Sequence, residues 1–488
     1  MHLPLGPLLL VAAMLPPPAG RAPVSSAQVL TERSGRPAEE GVARPDLEGV
    51  PSPTQLFFMV GGENGEVVRA LPDVNGDGRD EVLVGIGESG TDNVFCLDGA
   101  SSGAATVEWS LETNGGVSGG SAYGDQSIEA VSDGDGNGSR EILLGTAWGG
   151  RTAYRLDGEA GAELWRLDTY MEPDSGWIYS LAEMDDSTGD GVPEAAFGAG
   201  SDNDGVYYVD GMSSGQATVL WHYQAADGVG SVRNLGDADG DGVDDVLAGL
   251  LDFGDAMLAL DGGTSNPAGN LLWSYPTGGA SIFAVGVMPD TTGDGVAEAL
   301  AAVWASDGSS VRCVDGASGT EVWASTDVPT FGMLVDLLED VTGDGVPEVV
   351  VSSWDNAVHL LDGADGSRVW RSEVGTLNGG DVWSARAIGD LNGDGREDVV
   401  AGSFDLHVYA MDGTTGEILW AFDTGNRVFS VAPVGDLDGD GRPDVAVGTQ
   451  DTTTNVVVHV LSGGTGPVTI FADGFESGDT SAWTSTTG

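Results

Sequence analysis

The nonapeptide DLDGDGRPD, residues 436–444, is the last of eight related copies. The others are DVNGDGRDE (73–81), DGDGNGSRE (133–141), DSTGDGVPE (186–194), DADGDGVDD (237–245), DTTGDGVAE (290–298), DVTGDGVPE (340–348) and DLNGDGRED (390–398). Their starts lie 60, 53, 51, 53, 50, 50 and 46 residues apart. A period near fifty residues means a repeat architecture, so the fold must follow from the unit.

Each copy offers oxygen ligands at positions 1, 3 and 5, a backbone carbonyl at 7 and a carboxylate at 9. Glycine at position 6 permits the turn that points them inward, as in an EF-hand loop. Crowded hard oxygens suit a calcium ion, up to eight in all. The side-chain candidates run loop by loop as Asp73, Asn75, Asp77 and Glu81, then Asp133, Asp135, Asn137 and Glu141. Loops three and four offer Asp186, Thr188, Asp190 and Glu194, then Asp237, Asp239, Asp241 and Asp245. Loops five and six offer Asp290, Thr292, Asp294 and Glu298, then Asp340, Thr342, Asp344 and Glu348. The last two offer Asp390, Asn392, Asp394 and Asp398, then Asp436, Asp438, Asp440 and Asp444. An EF-hand would need an acid at position 12, followed by a helix. Here position 12 is Val84, Leu144, Phe197, Ala248, Ala301, Val351, Ala401 or Val447, inside apolar runs such as EVLVG and DVAVG that read as strands. The loop therefore sits between two strands. Plain Asp-Gly turns would not account for an acid at position 9 in every copy.

Most units end in a second strand pair, for example VYAMDGTTGEILWAF, VHLLDGADGSRVW and YRLDGEAGAELW, with a DG-x-x-G turn and a closing Trp. Four strands per unit, eight times over, predict an all-β, eight-bladed β-propeller; a seven-bladed ring with one extra unit is the alternative. The acidic loops resemble FG-GAP (VCBS, integrin-α-like) repeats. The hairpins ending in ILW or EVW resemble the repeats of PQQ-type quinoprotein propellers and their non-enzymatic relatives. The resemblance spans residues 56–472. The units are 66–113, 127–170, 177–224, 230–276, 281–326, 331–375, 382–424 and 428–472. Trp109, Trp165, Trp221, Trp273, Trp323, Trp370 and Trp420 close units one to seven as packing between blades. Unit eight has Phe471 instead, while QLFFMV, 55–60, is a second candidate for the closing strand.

The net charge is −59, with 77 acidic residues against 18 basic ones, and 26 of the acids fall at loop positions. Eight calcium ions would cancel sixteen charges. So acidic a surface excludes nucleic acid as a natural partner. Thirteen tryptophans and 40% hydrophobic residues exclude a disordered chain. Residues 1–27 read as a secretory signal: LPLGPLLLVAAML precedes small residues, with a cleavage site after Ala27. That run is too short to span a bilayer, and no other stretch is a transmembrane candidate, so secretion or display on a bacterial cell surface is expected. Residues 28–54 read as a linker, 55–472 as the propeller and 473–488 as a tail, a possible sorting tag.

Up-and-down connectivity puts the acidic loops on one face and the connections between second and third strands on the other. That second face carries Trp148, Phe253, Trp304, Trp354 and Phe404, with Trp177, Phe283, Phe331, Trp383 and Phe429 at the entrances to the first strands. Of these, Trp148, Trp177, Trp304, Trp354 and Trp383 are the ligand-binding candidates, able to stack on sugars or hold a peptide. The competing reading is packing between blade ends. Cys96 and Cys313 occupy one repeat position in opposite units and are expected as buried free thiols. Quinoprotein dehydrogenases of the resembled family carry a vicinal cysteine pair, which this chain lacks, so PQQ is not expected. His359, His407 and His459 share a strand position without converging. The expectation is a non-enzymatic binding or adhesion scaffold for an extracellular carbohydrate or protein. The alternative is a calcium-dependent polysaccharide lyase or hydrolase, or a quinoprotein oxidoreductase, for which Arg233, Arg386 and Arg427 are the nearest suggestion.

Overall fold

Each acidic loop runs into an apolar segment that becomes a strand buried on both faces, from Glu81–Ile86 in unit one to Asp444–Thr449 in unit eight. Continuous rather than alternating burial is what a strand between two neighbouring sheets requires. The computed structural model describes residues 47 and 49–464, apart from 62–64, 88–91, 114, 118–126, 148–149, 170–176, 201–203, 252–255, 264–265, 267, 279–280, 305–309, 375–379 and 451–453. The candidate signal, most of the linker, Trp148, Phe253, Phe471 and the tail lie outside these residues.

The strands form eight antiparallel blades. Blade six is representative, with Gly332–Leu338, Glu348–Ser353, Ala357–Leu361 and Arg368–Glu373 in that order. The first strand of every blade touches the first strand of the next, and Val428–Val434 of blade eight touches Gly65–Leu71 of blade one. The eight-bladed propeller is therefore closed, and the seven-bladed alternative is ruled out. Among the described residues no helix is long and apolar enough to cross a membrane.

The fourth strand of blade eight is Gln55–Val60, paired antiparallel with Val456–Leu461 and, on its other edge, parallel with Gly103–Ala104. Phe57 faces Val460 across a bulge, as Trp165 faces Arg155 across a bulge in blade two. Phe57, fully buried, thus takes the place of the blade-closing Trp that the sequence suggested for Phe471. Just before it, Leu47 and Val50 pack against the core between blades six and seven, and Pro51 accepts a hydrogen bond from Ala421 N, so the end of the stretch read as linker docks on the ring.

The seven tryptophans behave alike. Each indole Nε1 donates to the carbonyl of a turn glycine in the next blade, the DG-turn glycine in six cases, as Trp165 to Gly211 at 3.0 Å and Trp370 to Gly413 at 2.8 Å, and Gly463 of the Ser462-Gly463 turn for Trp420, at 3.0 Å. These glycines lie against the residue at loop position 8: a Cβ on Gly463 would meet Pro443 O at 1.9 Å. Trp, glycine and loop therefore form one joint at seven of the eight blade interfaces, and Phe57 stands without a donor at the eighth. Trp370→Phe, which keeps the packing but deletes the donor, should cost about 1–2 kcal/mol in urea unfolding. Wild-type stability in that variant would mean the joint rests on packing alone.

Cys96 and Cys313 are buried and unbridged, in blades one and five, as expected. The histidines sit on third strands and do not converge. His359 Nε2 bonds Asp355 at 3.1 Å, while His407 Nδ1 faces Asp405. His459 is buried against Phe422 of blade seven, ring centroids 5.5 Å apart, with no hydrogen bond to either nitrogen. Burial pushes its pKa from 6.5 down to about 4. A depressed folded-state value means stability present above pH 6.5 and lost as pH falls toward 4, by about 3 kcal/mol. Urea midpoints at pH 7 and 4.5 should therefore differ more for wild type than for His459→Leu; equal differences would exclude this residue as the cause.

Candidate functional site

In every acidic loop the position 1 aspartate accepts the amides of the glycines at positions 4 and 6. In loop eight, Gly439 N and Gly441 N reach Asp436 at 2.7 and 2.8 Å. Both glycines have positive φ, 82° and 88°, which a side chain at those positions would strain. The position 5 side chain accepts the amide of position 7 in all eight loops. These Asx turns shape the loop locally and direct the acids inward. Donation from Gly293 and Gly295 holds the Asp290 carboxyl below the usual range, and Gly343 and Gly345 do the same for Asp340.

Position 9 does something the sequence did not reveal. Its carboxylate, at most 1% exposed in every blade, fastens the loop from beneath. Asp444 accepts Leu437 N at 2.8 Å with one oxygen and Gly463 N at 2.9 Å with the other, tying loop, strand and the Ser462-Gly463 turn together. Glutamates at this position accept the amides of position 2, position 3 or both. Burial pushes the Glu81, Asp245 and Asp444 carboxyls up to about 7 and Asp398 to about 6. One oxygen each of Glu81, Glu194 and Glu298, and one of Asp438, is buried with no hydrogen-bond partner. An unpaired buried carboxylate oxygen costs free energy unless something neutralises it.

Three loops bring acids close enough to share an ion. Carboxylate oxygens of Asp133, Asp135 and Glu141, of Asp237, Asp239 and Asp245, and of Asp436, Asp438 and Asp444 each lie within 4.8 Å of one another. A further group, Asp239, Asp241 and Asp261, adds the aspartate of the DG turn. Sequence reasoning missed that residue, although the turn recurs. In blades two and seven the equivalent Asp157 and Asp412 accept from Asn137 and Asn392 of the loop at 2.5 and 2.9 Å.

On the opposite face the aromatic residues of blades five to eight form one run. Phe283, Trp304, Phe331, Trp354, Trp383, Phe404 and Phe429 follow one another at centroid distances of 6.3, 4.4, 5.2, 6.0, 4.8 and 5.3 Å. The Arg427 guanidinium lies over Phe404 at 5.2 Å. Trp177 and Trp383 are buried and belong to the floor of this cluster, as packing would have them. Trp304, Phe331 and Trp354 stay half-buried.

Between the two faces, one register position on the innermost strands carries Arg69, Glu129, Arg233, Asp336 and Arg386. Arg386 lies 3.8 Å from Asp336. Enclosure pushes the Glu129 carboxyl up, against the attraction of Arg233, Arg69 and Arg386, although the side chain stays half-accessible along the channel. Arg233 and Arg386 thus reach a common channel, whereas Arg427 joins the aromatic face.

The fold and its loops define the class: an eight-bladed β-propeller with an acidic loop in every blade. The FG-GAP-like repeat model matches residues 340–401 and 390–447, and the FG-GAP repeat model matches 428–471. These matches identify FG-GAP-like repeats in blades six to eight of the ring. None of the curated proteins matches the chain. Among solved structures it is similar to Sqt1 of Saccharomyces cerevisiae, at 12% identity and a TM-score of 0.60, over 84% of this chain and 98% of that one. It is also similar to the computationally designed Ika8 protein (15%, TM-score 0.56, 84% and 100% covered) and to BamB from Moraxella catarrhalis (14%, 0.51, 84% and 97%). Identities this low speak for the fold alone.

Proposed function

We propose that this chain is an exported, calcium-stabilised propeller that works as a non-enzymatic binding or adhesion scaffold for a carbohydrate or protein. The carrying observation is the set of preshaped acidic loops whose buried carboxylates, in Glu81, Glu194 and Glu298, each keep an oxygen without a hydrogen bond. A calcium ion takes several such oxygens and carries two positive charges, answering both the unpaired atoms and the net charge of −59. The ligands would be the side chains at positions 1, 3, 5 and 9 with the position 7 carbonyl. The bound ion would supply charge neutralisation and a clamp between the first two strands of each blade. Export agrees with the N-terminal apolar run and with calcium levels outside cells.

The half-buried rings of Trp304, Phe331 and Trp354 are the proposed platform for the partner, on a floor made by Trp383 and Phe404. The test is an array of polysaccharides and glycoproteins probed with the purified chain in calcium and again in EDTA. A calcium-dependent hit that stays intact supports the reading, and Trp354→Ala should then weaken binding about tenfold, the scale of one stacking ring. Binding unchanged by that substitution would move the site elsewhere. One observation favours a second reading, a lyase or hydrolase: Arg69, Arg233 and Arg386 gather around Glu129. Breakdown of the arrayed ligand would select it.

A further inference from the structure

Blade two departs from the other seven in and beneath its acidic loop. Its third strand, Thr152–Asp157, presents Arg155 opposite the blade-closing Trp165. The same register position holds Cys96, Tyr208, Ala259, Cys313, Leu360, Ala410 and Val460 in the other blades, none of them charged. Arg155 is 1% exposed and reaches under the acidic loop of its own blade. Its Nε pairs with Glu141 Oε2, its Nη2 donates to Ser132 O at 3.2 Å and its Nη1 to Pro193 O of loop three at 3.1 Å. Glu141 Oε1 in turn accepts Gly134 N and Asp135 N at 3.1 and 2.8 Å. Both oxygens of this position 9 acid are therefore committed, as are those of Asp245, Glu348, Asp398 and Asp444, but those four accept only backbone amides, whereas Glu141 has one oxygen held by a cation. The loop also carries Asn137 where every other copy has aspartate at position 5, so it holds less charge for an ion.

We propose that the Arg155 guanidinium is a built-in cation that takes the place of the metal ion in loop two, leaving the other seven loops to bind calcium. The inference rests on the calcium reading above and narrows it. A buried guanidinium beneath the loop repels an incoming divalent ion and holds the carboxylate that would ligate it. Its two carbonyl contacts also tie blade two to loop three without metal. Asp133, Asp135 and Glu141 still lie within 4.8 Å of one another, so the loop would accept an ion once the guanidinium is gone.

The test is bound calcium per chain, by equilibrium dialysis and elemental analysis, for wild type, Asp133→Asn in loop two and Asp436→Asn in loop eight. Asp436→Asn should lower the count by one, and Asp133→Asn should leave it unchanged. Arg155→Met, where it folds, should raise the count by one. A count that falls with Asp133→Asn overturns the proposal while leaving the calcium reading intact. A wild-type chain that binds no calcium overturns both, and the Asp436→Asn control tells the two failures apart.

Discussion

Stripping divalent ions with EDTA should lower the melting temperature of this protein by roughly twenty degrees. An ion present at about a hundredfold over its dissociation constant stabilises the folded chain by ~2.7 kcal/mol per site. Extracellular sites near 10⁻⁴ M reach that excess at about 10 mM calcium. Unfolding entropy of ~2.1 cal/mol/K per residue over about 400 residues gives ~0.9 kcal/mol per degree, so each ion is worth about three degrees. One site would be a small effect, but a ring of them is not. Asp440→Ala should accordingly cost about three degrees more in calcium than in EDTA, where it loses only the hydrogen bond from Arg442 N, measured by calorimetry. A melt indifferent to EDTA would remove calcium from the account of stability and leave position 9 as a purely structural clamp.

The second large effect concerns the seam. A chain shortened to begin at Gly61 should lose its single cooperative melt, because Gln55–Val60 supplies the outer strand of blade eight and bridges to Gly103–Ala104 of blade one. Its removal takes Phe57 out of the core in which it packs with Val68, Val84, Ala446 and Val460. Phe57→Ala alone should cost about 3–5 kcal/mol, the usual range for emptying a buried phenylalanine site. Urea unfolding followed by tryptophan fluorescence reads both. If the shortened chain melts like the whole one, the closing strand is not Gln55–Val60.

The loops and the four-stranded unit are legible in the sequence, because each rests on contacts within about fifty residues, whereas the choice of eight blades over seven came from the contact of Val428–Val434 with Gly65–Leu71. The Asx turns that shape DLDGDGRPD involve neighbours two to five positions apart, and a buried run such as DVAVG shows its environment in its own composition. The buried thiols followed from the period as well. Tertiary structure alone decided the seam, since a strand that pairs residues 55–60 with 456–461 leaves no local trace of its partner. It also decided which aromatics stay accessible: Trp354 and Trp383 were both ligand candidates in the sequence, but the packing of neighbouring blades buries the second. The same holds for Arg155 and for the charged residues of the channel. An arginine on a strand looks alike whether it faces water or an acid folded beneath it. Only the packing of blade two on blade three put that guanidinium under loop two.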